Sequence, residues 1–142
     1  MWKEMIVDDE KLICKLVQAL VEWDKLGMQM AAQAENAIQA LDMLQQYRPD
    51  ILITDIRMPG MDGLQVIERV VKMERPVNFI VLSGYNQFEY AYNPLKYGVE
   101  DYMLTPIHKE ELNKILPKIC SARKEKEIQV TDYAMMEKEQ KL

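Results

Sequence analysis

Cysteine is scarce. Cys14 and Cys120 are the only two in 142 residues, far apart and without Cys-x-x-Cys spacing, so neither a disulfide framework nor a zinc centre is expected. Reduced, cytosolic thiols are the natural reading. His108 is the single histidine, which excludes a His-based catalytic triad, and it is expected to open a helix rather than to do chemistry. No apolar run approaches the roughly 18 residues of a membrane span. The opening Met1-Trp2-Lys3-Glu4 is too short and acidic for a signal peptide, so a cytoplasmic chain without membrane contact is expected. Positive charge is also short: 18 Lys and Arg against 23 Asp and Glu leave a net charge of −5, which argues against nucleic acid binding by this chain. A DNA-binding module, if one exists, is expected beyond Leu142. No internal repeat is visible.

What is present is one domain's worth of ordinary globular sequence, 49% hydrophobic and 29% charged, without room for a second folded unit. Strand and helix signals alternate five times. Strands are expected at Lys3 to Val7, Met28 to Ala34, Ile51 to Thr54, Asn78 to Leu82 and Asp101 to Leu104. Helices are expected over Glu10 to about Lys25, Asn36 to Tyr47, Gly63 to Met73, around Phe88 to Tyr97, and from near His108 onward. Strict β/α alternation predicts a parallel sheet with helices on both faces, joined by right-handed crossovers. In the flavodoxin-like (βα)5 doubly wound order 2-1-3-4-5, the carboxyl ends of the first and third strands lie side by side at the switch point.

Those two ends are acidic. Met5-Ile6-Val7 leads directly into Asp8-Asp9-Glu10, and Ile51-Leu52-Ile53-Thr54 delivers Asp55 to the edge before the Met58-Pro59-Gly60 turn. Adjacent central strands would bring three carboxylates into one crevice. Carboxylates so close raise one another's pKa unless a cation sits among them, and hard oxygen ligands with room for water suit Mg²⁺. An isolated Asp beside Pro and Gly is commonly just a turn residue, but ordered signals at several strand ends outweigh that reading.

With these landmarks, followed by Ser83-Gly84 after the fourth strand, Tyr102 in the fifth and Pro106 beyond it, roughly residues 3 to 120 resemble a receiver domain of a bacterial two-component response regulator. The stretch Leu82-Ser83-Gly84-Tyr85 through Phe88-Glu89-Tyr90-Ala91 is similar to receivers fused to arabinose-regulator-type helix-turn-helix modules. The resemblance implies Asp55 as phosphoacceptor and Mg²⁺ as cofactor, bound by Asp9, Asp55 and the Arg57 backbone carbonyl, with Asp8 acting largely through water. It also implies a switch in which the Ser83 hydroxyl moves to the phosphoryl group and Tyr102 turns inward. Without it, Ser83 is a helix or turn cap and Tyr102 a core aromatic. The implied partners are a sensor histidine kinase as phosphodonor and a second copy docking through the fourth helix, fifth strand and fifth helix. The implied role is signal transduction ending in control of transcription, not enzymatic turnover beyond self-phosphorylation from a phosphodonor and self-dephosphorylation.

The chain also departs from the family pattern. Receivers carry a lysine immediately before the Pro of the fifth-strand loop, and here Thr105 precedes Pro106. A hydroxyl supplies no charge, and charge-assisted bonds to phosphate are roughly twice as strong as neutral ones, so weak coupling of phosphorylation to switching is expected. Thr105 is the best support for an alternative, a pseudo-receiver that keeps the fold as an interaction module. A haloacid-dehalogenase-type phosphatase is a weaker rival, because it needs an Asp two residues after the nucleophile and Arg57 stands there. Asn93-Pro94 is expected to interrupt the helix around Phe88 to Tyr97, since an interior proline removes a hydrogen bond and clashes with the preceding turn. Tyr85, Phe88, Tyr90, Tyr92 and Tyr97 there suit either ordinary packing or a partner surface. Residues 121–142, with five basic and five acidic side chains and sparse apolar positions, read as a charged, helix-prone extension or linker after a domain of residues 1–120.

Overall fold

The structure, a computed structural model, describes residues 1–74, 76–84, 101–104 and 106–140. Five parallel strands form one sheet: β1 (Trp2–Val7), β2 (Met28–Ala34), β3 (Ile51–Asp55), β4 (Asn78–Ser83) and β5 (Asp101–Leu104). Their order is β2-β1-β3-β4-β5, as expected. The helices are α1 (Lys11–Leu20), α2 (Trp23–Leu26), α3 (Ala37–Tyr47), α4 (Gly63–Lys72) and α5 (Lys109–Gln140). The helix expected over 88–97, the interruption at Asn93-Pro94, the aromatic group from Tyr85 to Tyr97 and Thr105 all lie outside the described residues.

The two faces of the sheet explain why its central strands read as continuous apolar runs. Successive side chains alternate sides. Met5, Val7, Leu52 and Val81 pack with α3 and α4 through Ala40, Leu44, Val66, Ile67 and Val70. Ile6, Ile51, Ile53, Ile80, Leu82 and Met103 pack on the other side with α1 and α5 through Val17, Leu112, Leu116 and Ile119. Each fully buried aliphatic side chain contributes about 1.5–3 kcal/mol of transfer free energy, so both layers are strongly anchored.

Local chemistry sets the helix ends. Asn36 caps α3 by accepting from the Gln39 N–H at 2.8 Å. Asp62 and Gln65 form a reciprocal capping box at α4, each side chain accepting from the other's backbone N–H at 2.9 Å. Gly63 follows because a Cβ there would strike the Asp55 backbone carbonyl, which brings the start of α4 against the end of β3. Gly27, at φ 66°, closes α2 in the left-handed conformation and accepts from the Trp2 N–H.

One expected element is corrected. The apolar spacing from Glu10 to Lys25 predicts a single helix, yet α1 ends at Leu20, Val21 is extended with ψ 133°, and the separate turn α2 follows. The reason is a partner 91 residues away in sequence. Asn113 of α5 accepts from the Glu22 N–H at 2.9 Å and donates to the Leu20 carbonyl at 2.8 Å, satisfying both backbone groups that the break releases. At the other end of the chain, α5 passes Ser121 without interruption and contains Pro117, which has no N–H to offer the Asn113 carbonyl.

Candidate functional site

The pairing of β1 with β3 sets Val7 beside Thr54, so the residues that follow, Asp8 and Asp55, leave the sheet side by side. Asp9 joins them, and carboxylate oxygens of Asp8, Asp9 and Asp55 lie within 4.8 Å of one another. The three differ in exposure. Asp8 is buried, Asp55 is half-buried and Asp9 is exposed, so the cluster has a closed floor and an open mouth.

Each position is held by backbone. The Asp8 N–H donates to the Ala34 carbonyl at the end of β2, and the Asp8 carboxylate accepts from the Glu10 N–H at 2.9 Å. Ile56 N–H donates to the Leu82 carbonyl at 3.2 Å, extending the β3–β4 ladder past Asp55, and Gly63 N–H donates to the Ile56 carbonyl at 2.8 Å. The Thr54 hydroxyl is fully buried and donates to the Asp55 carbonyl at 3.0 Å. Asp55 is therefore fixed by its own backbone, and its carboxylate is left for the crevice.

Electrostatics follow from this packing. Burial pushes the Asp8 carboxyl up to about 7; the Glu10 N–H opposes the rise, and the charges of Asp55 and Asp9 add to it. Asp55 is pushed up to about 6, first by burial and then by Asp9, against the stabilising N–H groups of Ile56 and Arg57. Such a cluster carries a field that a hard cation relieves, and an all-oxygen donor set with an open side fits Mg²⁺. The acids brought together here are Asp8, Asp9 and Asp55, at the two strand ends that read as acidic in the sequence.

The other expected residues fall as follows. Ser83 ends β4, one position past the Leu82 that pairs with Asp55, and is buried with its hydroxyl donating to the Gly84 carbonyl at 3.1 Å. Tyr102 pairs with Val81 in β5, two strands from Asp55; its ring lies outside the described part. Arg57 is exposed, two residues beyond Asp55, where its carbonyl can border the crevice. His108 is exposed and its carbonyl accepts from the Leu112 N–H, so it opens α5 as expected. Sequence reasoning missed the Thr54 hydroxyl as a positioning group. It also missed Glu4, a buried acid on β1. The two-residue strand period, which sets Trp2, Glu4 and Ile6 on one face, was the available signal.

A doubly wound parallel sheet with an acidic crevice at the ends of its first and third strands is the receiver architecture. Residues 5–117 match the family described as response regulator receiver domain, and the chain belongs to it. It is 38% identical over 128 residues to the uncharacterized transcriptional regulatory protein YesN of Bacillus subtilis, covering 90% of this chain and 35% of that protein. It is 31% identical over 129 residues to the transcriptional regulatory protein HptR of Staphylococcus aureus, covering 91% of this chain and 50% of that protein. The chain thus spans half or less of the length of these relatives. Among solved structures it is similar to the receiver domain of AraT, a response regulator from Geobacillus stearothermophilus, with a TM-score of 0.82, 30% identity, and coverage of 89% of this chain and 98% of that one. A two-component transcriptional regulator AraC from Clostridium phytofermentans aligns with a TM-score of 0.73 at 31% identity, covering 83% and 92%. The expected likeness to arabinose-regulator-type response regulators is borne out. No helix among the described residues is long and apolar enough to cross a membrane.

Proposed function

We propose that the chain accepts a phosphoryl group on Asp55 from a sensor histidine kinase and passes the signal to an effector that controls transcription. The observation that carries this reading is the half-exposed Asp55 carboxylate within 4.8 Å of Asp8 and Asp9 at the switch point of the sheet. Asp9, Asp55 and the Arg57 carbonyl would hold Mg²⁺, with Asp8 acting through water. Bound there, Mg²⁺ supplies the positive charge that offsets repulsion between the incoming phosphoryl oxygens and the carboxylates.

The chain's own residues do the rest. An Asp55 oxygen attacks phosphorus, the bond from phosphorus to the donor breaks, and an acyl phosphate forms on Asp55. The N–H groups of Ile56 and Arg57 steady the carboxylate in its ionised, nucleophilic form. Ser83 is the hydroxyl one strand away that turns from the Gly84 carbonyl to a phosphoryl oxygen, and Tyr102 follows it inward. The acidic crevice favours this reading over a pseudo-receiver, which has no use for a clustered and mutually repelling set of acids. Residues 121–142 act as the linker toward the effector, and the site is cytoplasmic because its donor kinase presents the phosphoryl group there. No turnover beyond gain and loss of this phosphoryl group is assigned.

Incubation with acetyl phosphate and Mg²⁺ followed by intact mass tests the proposal. One phosphoryl increment is expected, labile to hydroxylamine and absent in Asp55→Asn. An unmodified chain under these conditions overturns it.

A further inference from the structure

The start of α4 sits directly behind the backbone of Asp55. Strand alternation sets Thr54 on the side of Leu52, the face that α4 covers, and Thr54 has no exposed surface there. Gly63 opens α4; a Cβ on it would strike the Asp55 carbonyl oxygen and come within 3.1 Å of the Thr54 Oγ1. The β1–β3 ladder makes its last pair at Val7 and Thr54, so the Asp55 carbonyl lies just past it. A carbonyl walled in by a helix needs a donor from the protein itself. The Thr54 hydroxyl donates to it at 3.0 Å.

The peptide that carries this carbonyl also carries the Ile56 N–H. Because a peptide is planar, holding its oxygen also sets the direction of its N–H. That N–H donates to the Leu82 carbonyl at 3.2 Å, and the Gly63 N–H donates to the Ile56 carbonyl at 2.8 Å. The two peptides that follow the Asp55 side chain are therefore each tied: the first to Thr54 and to β4, the second to the head of α4. The Arg57 carbonyl comes next along the same backbone.

We propose that Thr54 is a positioning residue for phosphoryl transfer: its hydroxyl sets the tilt of the Asp55–Ile56 peptide, and through it the aim of the Asp55 carboxylate and the place of the Arg57 carbonyl. The inference rests on the reading of Asp55 as phosphoacceptor. Being fully buried, Thr54 meets neither the phosphoryl group nor a metal ion, and it acts only through the backbone. Without the hydroxyl, the Asp55 carbonyl turns toward another donor, the Ile56 N–H is drawn off Leu82, and the carboxylate leaves the line of attack. Rate is steeply sensitive to such a change, by about 10²-fold for a misplacement of roughly 1 Å.

The test sets two variants against each other. Thr54→Val keeps the shape and removes the donor, Thr54→Ser keeps the donor and removes a methyl, and Thr54→Ala stands in if the valine variant does not fold. The readouts are the rate of phosphorylation by acetyl phosphate at saturating Mg²⁺, the Mg²⁺ affinity from the Arg57 amide shift, and amide exchange at Ile56 compared with Ile53 in the core of β3. In Thr54→Val a rate loss of about tenfold or more is expected, with weaker Mg²⁺ binding and faster exchange at Ile56 but not at Ile53. Thr54→Ser should stay near the unmodified chain, whereas a role in packing alone would make serine at least as harmful as valine. The proposal is overturned if Thr54→Val keeps the unmodified rate, Mg²⁺ affinity or Ile56 protection, if serine is impaired as much as valine, or if exchange rises equally at Ile53. An unmodified chain that takes up no phosphoryl group defeats the phosphoacceptor reading instead, and Thr54 is then judged on Ile56 exchange and Mg²⁺ affinity.

Discussion

Protons and a divalent cation compete for the same oxygens in the crevice, and the competition is large enough to measure. With Asp8 at about 7 and Asp55 at about 6 in the metal-free protein, most Asp8 and half of Asp55 are protonated at pH 6. At pH 8 both are ionised. Removing these protons weakens the apparent Mg²⁺ affinity at pH 6 by about tenfold through Asp8 and about twofold through Asp55, a combined factor of roughly twenty. Titrations at pH 6, 7 and 8 at constant ionic strength, followed by amide shifts of Asp9 and Arg57, measure it. Asp8→Asn should flatten the profile to the residual twofold of Asp55, because the larger proton competitor is gone. An affinity constant from pH 6 to 8 in the unmodified chain, or a profile unchanged in Asp8→Asn, refutes the reasoning. No response at tens of millimolar Mg²⁺ at pH 8 refutes the site itself.

The same raised acid affects stability. Because the folded pKa of Asp8 exceeds its ordinary 3.8, the unfolded chain releases its proton first as pH rises; stability is fullest below pH 3.8, falls through the interval and levels off above about 7. Asp8→Asn should therefore stabilise the metal-free protein at pH 8 by about 2–4 kcal/mol in urea unfolding and far less at pH 4. Asn113→Ala strands the Leu20 carbonyl and the Glu22 N–H, so a loss of about 1–3 kcal/mol is expected, with amide exchange rising at the α1–α2 junction. Thr105→Lys should enlarge the phosphorylation-induced change, read as shifts around Tyr102 or as dimerisation with beryllofluoride; a full response in the unmodified chain that lysine does not increase counts against Thr105 as the weak link.

Strand positions, their parallel order and the acidic strand ends were legible from the chain itself, because all rest on short-range patterns. Runs such as Ile51 to Thr54 are apolar on both faces only when buried on both, and an Asp at the end of such a run has nowhere to go but the edge. Three matters were decided only in three dimensions. The break between α1 and α2 depends on Asn113, whose amide meets both freed backbone groups from a distant helix. The difference between Asp8 and Asp55 depends on burial, which places Asp8 at the floor of the crevice and Asp55 nearer its mouth, although both follow similar strands. Glu4 lies in a segment whose neighbours announce a strand, yet only the packing of α5 over β1 shows that its charge is enclosed. Local pattern sets which backbone state a segment prefers; desolvation and the pairing of polar groups are properties of what the rest of the chain brings against it, and no window of sequence contains them.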